Sequence, residues 1–292
     1  MQNASPLVIA VLALELAPAA AFGFAGERVT AAISQWPRLL RLLIPALLAL
    51  PYAVLALDQH MFRWQWMTLY MFLPVIVAAL LMQASLADPE QCGNWRDALI
   101  LLTLGLAVDL RWFDSAWPHG LRGLGNLLLL DAGLYGLLGI RNLSGTGFDF
   151  HFRWSDWKIS LRELAFFAPL VIAAGLALGF IHPHPNVPSV GKAILSWVGI
   201  FVFIAVLEEL FFRAWVQNLL ERRLGRNAAL VIASILFGLS HFNKRSAHFN
   251  WRYVLLATLA GIFYGRAWRS QRRVAASAIT HTCVDWLWSW WF

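Results

Sequence analysis

Apolar residues run through this chain in long blocks, separated by short polar stretches. A helix needs about 20 apolar residues to cross a bilayer. By that measure the blocks fall at roughly 6–25, 39–57, 67–87, 97–112, 124–140, 164–181, 190–216, 227–242, 252–268 and 274–291. The pattern predicts an all-α, polytopic transmembrane helix bundle with about eight to ten membrane spans. The first, fourth and fifth blocks are the weakest. They carry Glu15 with Pro18, Asp109, and Asp131. These acids and Glu163 read as interfacial or helix-end residues. The first six residues hold no Lys or Arg, so the basic region of a signal peptide is missing and the first block reads as a membrane helix.

Two segments break the pattern. Residues 141–163 mix Gly145, Gly147, Asp149, His151, Arg153, Asp156 and Lys158 with aromatics, which predicts an interfacial loop with a short amphipathic helix. Residues 182–189 contain three prolines and interrupt the helices between an N-terminal and a C-terminal half. Length alone would suit two soluble domains, but the blocks run from end to end and predict one membrane-embedded unit. Within it, residues 1–150 supply N-terminal membrane helices of unassigned role, and residues 151–292 carry the chemistry. No repeat or low-complexity stretch is visible.

Composition sharpens this picture. The chain is 60% hydrophobic and 13% charged, against about 45–50% and about 25% for soluble domains. Disordered, fibrous and ordinary soluble proteins are thereby excluded. The net charge of +7 comes from arginines between apolar blocks, where they set topology and meet anionic lipid, so the bilayer is the expected partner and nucleic acid is not. Arg222, Arg223 and Arg226 follow the seventh block, and Arg266, Arg269, Arg272 and Arg273 follow the ninth. Both clusters therefore lie on one side, the cytoplasmic side by the positive-inside rule. Lys244, Arg245 and Arg252 fall on the other side and oppose that assignment. Many tryptophans flank block ends (Trp36, Trp64, Trp66, Trp112, Trp117, Trp154, Trp157, Trp251), as interfacial anchors do. The expected location is the plasma membrane of a bacterium. Cys92 and Cys283 form no CxxC pair and predict no disulfide framework.

Charges inside an apolar block cost about 3 kcal/mol or more, which makes them functional candidates. In Leu207-Glu208-Glu209-Leu210-Phe211-Phe212-Arg213, Glu209 and Arg213 are four apart and share a helix face. Glu208 points about 100° away, so Arg213 can neutralise one carboxylate and leave the other free. A charged helix end with a snorkelling Arg213 is the plainer alternative. Phe237-Gly-Leu-Ser-His241 ends the next block. His241 is either structural or a catalytic group. Ser240 beside it makes a poor nucleophile–base pair, because neighbours on a helix do not face each other. In the last block His281 and Asp285 are four apart. They form either a shared polar site or a buried pair joining helices. Cys283 between them packs as a small apolar residue. Ala257, Gly261 and Gly265 recur every four residues and permit close helix packing.

Glu208-Glu209-x-x-x-Arg213, Phe237-x-x-x-His241 and His281-x-x-x-Asp285 resemble, in order and spacing, the three motifs of the CPBP family. That family comprises type II CAAX prenyl proteases and the bacteriocin-processing or Abi membrane proteins. The resemblance covers roughly residues 160–292, and residues 1–150 carry no family motif. It implies a glutamate-dependent intramembrane endopeptidase acting on a membrane-associated peptide or protein, without a cofactor. Glu208 matches the glutamate that activates water. His241 matches the histidine that helps bind the water, and His281 the one placed at the oxyanion. Asp285 stands where Asn is frequent. An ionised Asp cannot donate to an oxyanion, so Asp285 is either protonated or orients His281. Glu209 and Arg213 organise the site.

Three alternative readings compete with this one, and the first uses the same residues. Glu208, His241 and His281 with a water would make a catalytic zinc shell, although no HExxH is present. A non-proteolytic scaffold or immunity protein would keep the fold without the activity. A proton-coupled transporter would use intramembrane acids and histidines, but the chain lacks the internal repeat many transporters show.

Overall fold

The computed structural model describes residues 5–184, 186–244, 246 and 248–292. Residues 1–4, Pro185 of the proline-rich segment and Arg245 of the basic loop lie outside them. Ten long helical runs follow one another among the described residues: α1 (Pro6–Gln35), α2 (Arg38–Asp58), α3 (Trp64–Ala87), α4 (Trp95–Asp109), α5 (Gly123–Ile140), α6 (Trp154–Ala177), α7 (Val190–Leu224), α8 (Arg226–Leu239), α9 (Trp251–Gln271) and α10 (Val274–Trp291). No strand occurs among the described residues. The protein is a polytopic helical bundle. Six runs (α1, α2, α3, α5, α6 and α7) are long and apolar enough to cross a membrane, fewer than the eight to ten spans expected. The other four fall short for physical reasons. The runs α4 and α8 have 15 and 14 residues. In α9 and α10 apolar residues give way to the arginines of the former and to the buried Ser277, Thr280, His281 and Thr282 of the latter.

The chain divides into two compact units, residues 1–144 and 145–292. In the first, α1 is kinked at Ala25 and carries Pro18 inside it. Gly139 of α5 packs against Phe22 and Ile33 of α1, and Gly136 against Val77 and Leu81 of α3. Arg141 is buried and donates to Asp88 and Asp97, tying the start of α4 to the end of α5. Trp117 is not an interfacial anchor: it is 3% exposed, and its indole N–H donates to the Tyr70 hydroxyl at 2.7 Å. Asp109 does end a helix. Glu15 and Asp131 do not, for each is 2% exposed within α1 and α5.

The second unit begins ahead of the proline-rich segment, which lies inside it between α6 and α7. The reason is long-range pairing. Helix α6 starts at Trp154, ten residues before the expected apolar block, because Asp156 caps it by accepting from the Arg153 N–H. Asp156 then pairs with Arg273 at 2.7 Å. Glu163, expected at a helix end, is fully buried mid-helix between Arg162 and Arg266, at 2.7 and 2.9 Å. The preceding loop returns to α10 through a 2.9 Å bond from Val274 N–H to the Gly147 carbonyl. Gly147 has φ +67°, and a Cβ there would strike the Arg272 carbonyl, so only glycine fits. The α9 stripe packs as expected: Gly261 sits against Ser234, and Gly265 against Leu230 and Gln217. Both cysteines are free.

Candidate active site

Helix α7 carries Glu208 and Glu209 on a four-residue α-helical step, Val206–Glu209, between π-helical turns at Phe201–Ala205 and Leu210–Gln217. Such turns rotate the side chains that follow and are frequent at functional sites. Glu209 is fully buried. Its Oε2 accepts from Arg213 Nε at 2.8 Å, and its Oε1 lies 2.9 Å from His281 Nδ1. The carboxylate can only accept, so His281 Nδ1 carries the proton and Nε2 faces the site. Glu209 thus fixes the imidazole of α10 and holds the buried Arg213, whose Nη1 and Nη2 have no hydrogen-bond partner among the described residues.

Glu208 differs. Its side chain is 25% exposed, and its Oε1 lies 3.5 Å from Lys244 Nζ. Its buried Oε2 has no hydrogen-bond partner among the described residues and stands 4.0 Å from His281 Nε2. Asp285 Oδ2 faces the same His281 nitrogen at 3.5 Å. Asp285 therefore sits at Nε2, while the orienting bond to Nδ1 comes from Glu209.

Helix α8 ends at Leu239, so Ser240 and His241 lie in a turn rather than on a helix. This overturns the reading that they cannot meet: Ser240 Oγ is 3.2 Å from His241 Nδ1. It is still no nucleophile–base pair, because Ser240 donates to the Phe237 carbonyl at 2.8 Å and His241 Nδ1 lies 2.9 Å from that same carbonyl. A carbonyl only accepts, so His241 Nδ1 is a donor, and its Nε2 lone pair turns toward Lys244 Nζ at 3.5 Å.

Phe237 is the wedge of the site. It meets Phe212, Tyr264, His241 and His281 edge-on or tilted, and Arg213 lies over its ring at 5.2 Å. Tyr264 of α9 stacks on His281 with centroids 4.6 Å apart. Sequence reasoning missed Tyr264 and Lys244. The first is flanked by Gly261 and Gly265, the only local hint that this face of α9 meets another helix. The second is three residues past His241, a cation within reach of the free carboxylate.

A cleft opens beside these groups. Phe167, Val171, Leu256, Val284 and Trp288 give it apolar walls, and His241, His281 and Asp285 also line it. Apolar walls with a few convergent polar groups are the usual make-up of a ligand site. Glu208, His241 and His281 are not brought together as a metal-holding group among the described residues. An ammonium stands beside two of them instead.

No curated protein and no solved structure matches the chain. Residues 190–287 match the family model described as type II CAAX prenyl endopeptidase Rce1-like. The match runs from the start of α7 into α10 and contains all three motifs, so the resemblance read from Glu208 through Asp285 holds over these residues.

Proposed function

We propose that the second unit is an intramembrane endopeptidase in which Glu208 activates water against a peptide bond of a membrane-associated substrate. One observation carries this reading. A partly exposed carboxylate, one oxygen of which has no hydrogen-bond partner among the described residues, stands 4.0 Å from a histidine that a second carboxylate has already oriented, beside an apolar cleft that the histidine lines.

Glu208 takes a proton from water as the oxygen attacks the carbonyl carbon. His241 borders the water's position. His281, held through Nδ1 by Glu209, donates from Nε2 to the developing oxyanion when it carries both protons. Collapse of the tetrahedral intermediate breaks the C–N bond, and the proton held by Glu208 passes to the leaving amine. Asp285 at Nε2 balances the charge of the doubly protonated imidazole. The apolar cleft excludes water from this charge movement, which strengthens each electrostatic contact.

The test is peptide-bond cleavage by the purified protein in detergent, against a library of apolar and C-terminally prenylated peptides. Wild type, Glu208→Gln and His281→Ala are each assayed with and without a chelator. Cleavage by wild type, lost in both variants and indifferent to chelation, is expected. Loss on chelation restored by zinc would transfer the chemistry to a metal. Well-folded wild type that cleaves nothing would favour the scaffold reading.

A further inference from the structure

Lys244 lies in the turn between α8 and α9, outside the three motifs, and only its charge drew notice in the sequence. The fold gives it two neighbours: Nζ is 3.5 Å from Glu208 Oε1 and 3.5 Å from His241 Nε2. No other Lys or Arg among the described residues lies within ion-pair distance of Glu208. The groups around Glu208 divide clearly. His281 and Asp285 of α10 face its Oε2 side, with His281 Nε2 at 4.0 Å. On its own helix, Glu209 and Arg213 are engaged with each other and with His281. His241 and Lys244 approach from the turn after α8.

We propose that Lys244 is a positioning residue for Glu208: its ammonium holds Oε1 against His241 and so leaves Oε2 as the atom that takes the proton from water. Three observations converge on this. A carboxylate has two oxygens, and the one beside Lys244 is already engaged. The other is buried and free of hydrogen bonds among the described residues, and it is the one turned toward His281. His241 presents a lone pair at Nε2 because its Nδ1 is committed to the Phe237 carbonyl, so it can receive an N–H from the ammonium but cannot offer one to Glu208. Lys244 is thus the group able to bridge two acceptors that would otherwise not bind each other.

This inference rests on the reading of Glu208 as the catalytic base, and the test separates the two. Steady-state cleavage of the peptide that wild type accepts is measured for Glu208→Gln, Lys244→Met, Lys244→Arg and the double variant Lys244→Met/Glu208→Gln. Lys244→Met is expected to lower kcat by about tenfold to a hundredfold, the scale of a misplaced catalytic group, with KM little changed. Lys244→Arg should recover part of the loss, and the double variant should be no slower than Glu208→Gln alone. Lys244 is about one-third exposed, so its replacement should leave the melting midpoint where it was. A Lys244→Met enzyme as fast as wild type, or faster, would overturn the proposal. Faster cleavage would mean that the ammonium occupies the water's own place. Loss of activity with a lowered melting midpoint and no rescue by Arg would make Lys244 structural. If Glu208→Gln itself cleaves normally, the catalytic reading fails first.

Discussion

Glu208 and Glu209 are neighbours in the chain with opposite surroundings, and this separates their effects on stability. Glu209 is fully buried between Arg213 and His281. Removing its charge leaves a buried guanidinium whose other nitrogens have no hydrogen-bond partner among the described residues, a change that costs about 3–5 kcal/mol. Glu209→Gln should therefore lower the melting midpoint in detergent markedly as well as abolish cleavage. Glu208 is partly exposed and bound to one partly exposed lysine, a pairing worth about 1 kcal/mol or less. Glu208→Gln should lose cleavage with little change in melting. Equal losses of stability in the two variants would refute this division. The Glu209–Arg213 pair was legible because four residues of helix bring two side chains to one face. Lys244 was not, because its approach to Glu208 depends on where α8 stops, and nothing in the run to His241 marks Leu239 as the last helical residue. The contact between Ser240 and His241 was misread for the same reason.

At the scale of elements, the site depends on how closely α8 meets α9. Ala257, Gly261 and Gly265 showed one half of that contact in advance. The other half is Gly238, whose added Cβ would strike the Thr258 hydroxyl and stand 2.6 Å from the Val254 carbonyl. The hydroxyl can rotate away, but the carbonyl belongs to the backbone of α9 and cannot. Gly238→Ala should cost about 1–3 kcal/mol, the range for overpacking, and should slow cleavage by shifting His241; an unchanged melting curve would count against it. The early start of α6 was hidden because its acids looked solvated, and their cations come more than a hundred residues later, at Arg266 and Arg273. The loop before α6 has a pH signature of its own. Burial raises the Asp149 carboxyl, but hydrogen bonds from Arg273 and His151 outweigh it and hold the group at about 2, below its ordinary 3.8. A value depressed by folding stabilises fully above the ordinary value and is lost as pH falls toward the folded one. Melting midpoints taken between about pH 4 and pH 2 should fall less steeply for Asp149→Asn than for wild type, and parallel curves would show that the pairing contributes nothing.

Across the whole molecule, the ends of the helices carry different charge, and the second unit shows which charges keep company. Arg269 donates to the Arg226 carbonyl at 3.0 Å and Arg272 pairs with Glu221 at 2.7 Å, so the two arginine clusters that flank α8 and α9 lie at one end. Lys244, which opposed a simple reading of the loops, sits beyond the other end of α8, where it pairs with Glu208. A cation engaged in a site is weak counter-evidence on topology, because the positive-inside rule counts charges free to hold a loop on one side. With Lys244 set aside, Arg222, Arg226, Arg269 and Arg272 outnumber Arg245 and Arg252, which follow α8 in the chain, and the end bearing the four should face the cytoplasm. Two exposed apolar residues mark the ends without disturbing any of these pairs: Leu224 just before α8 and Phe249 just before α9, 50% and 59% exposed. In a background with Cys92 and Cys283 replaced, Phe249→Cys should react with a membrane-impermeant maleimide in intact cells, and Leu224→Cys only after the cells are opened. The reverse pattern would invert the second unit. Labelling of both sites in intact cells would mean that α8, with its 14 residues, does not separate two faces of the membrane, and that the polar helices of the site stand in a water-filled recess rather than across the bilayer.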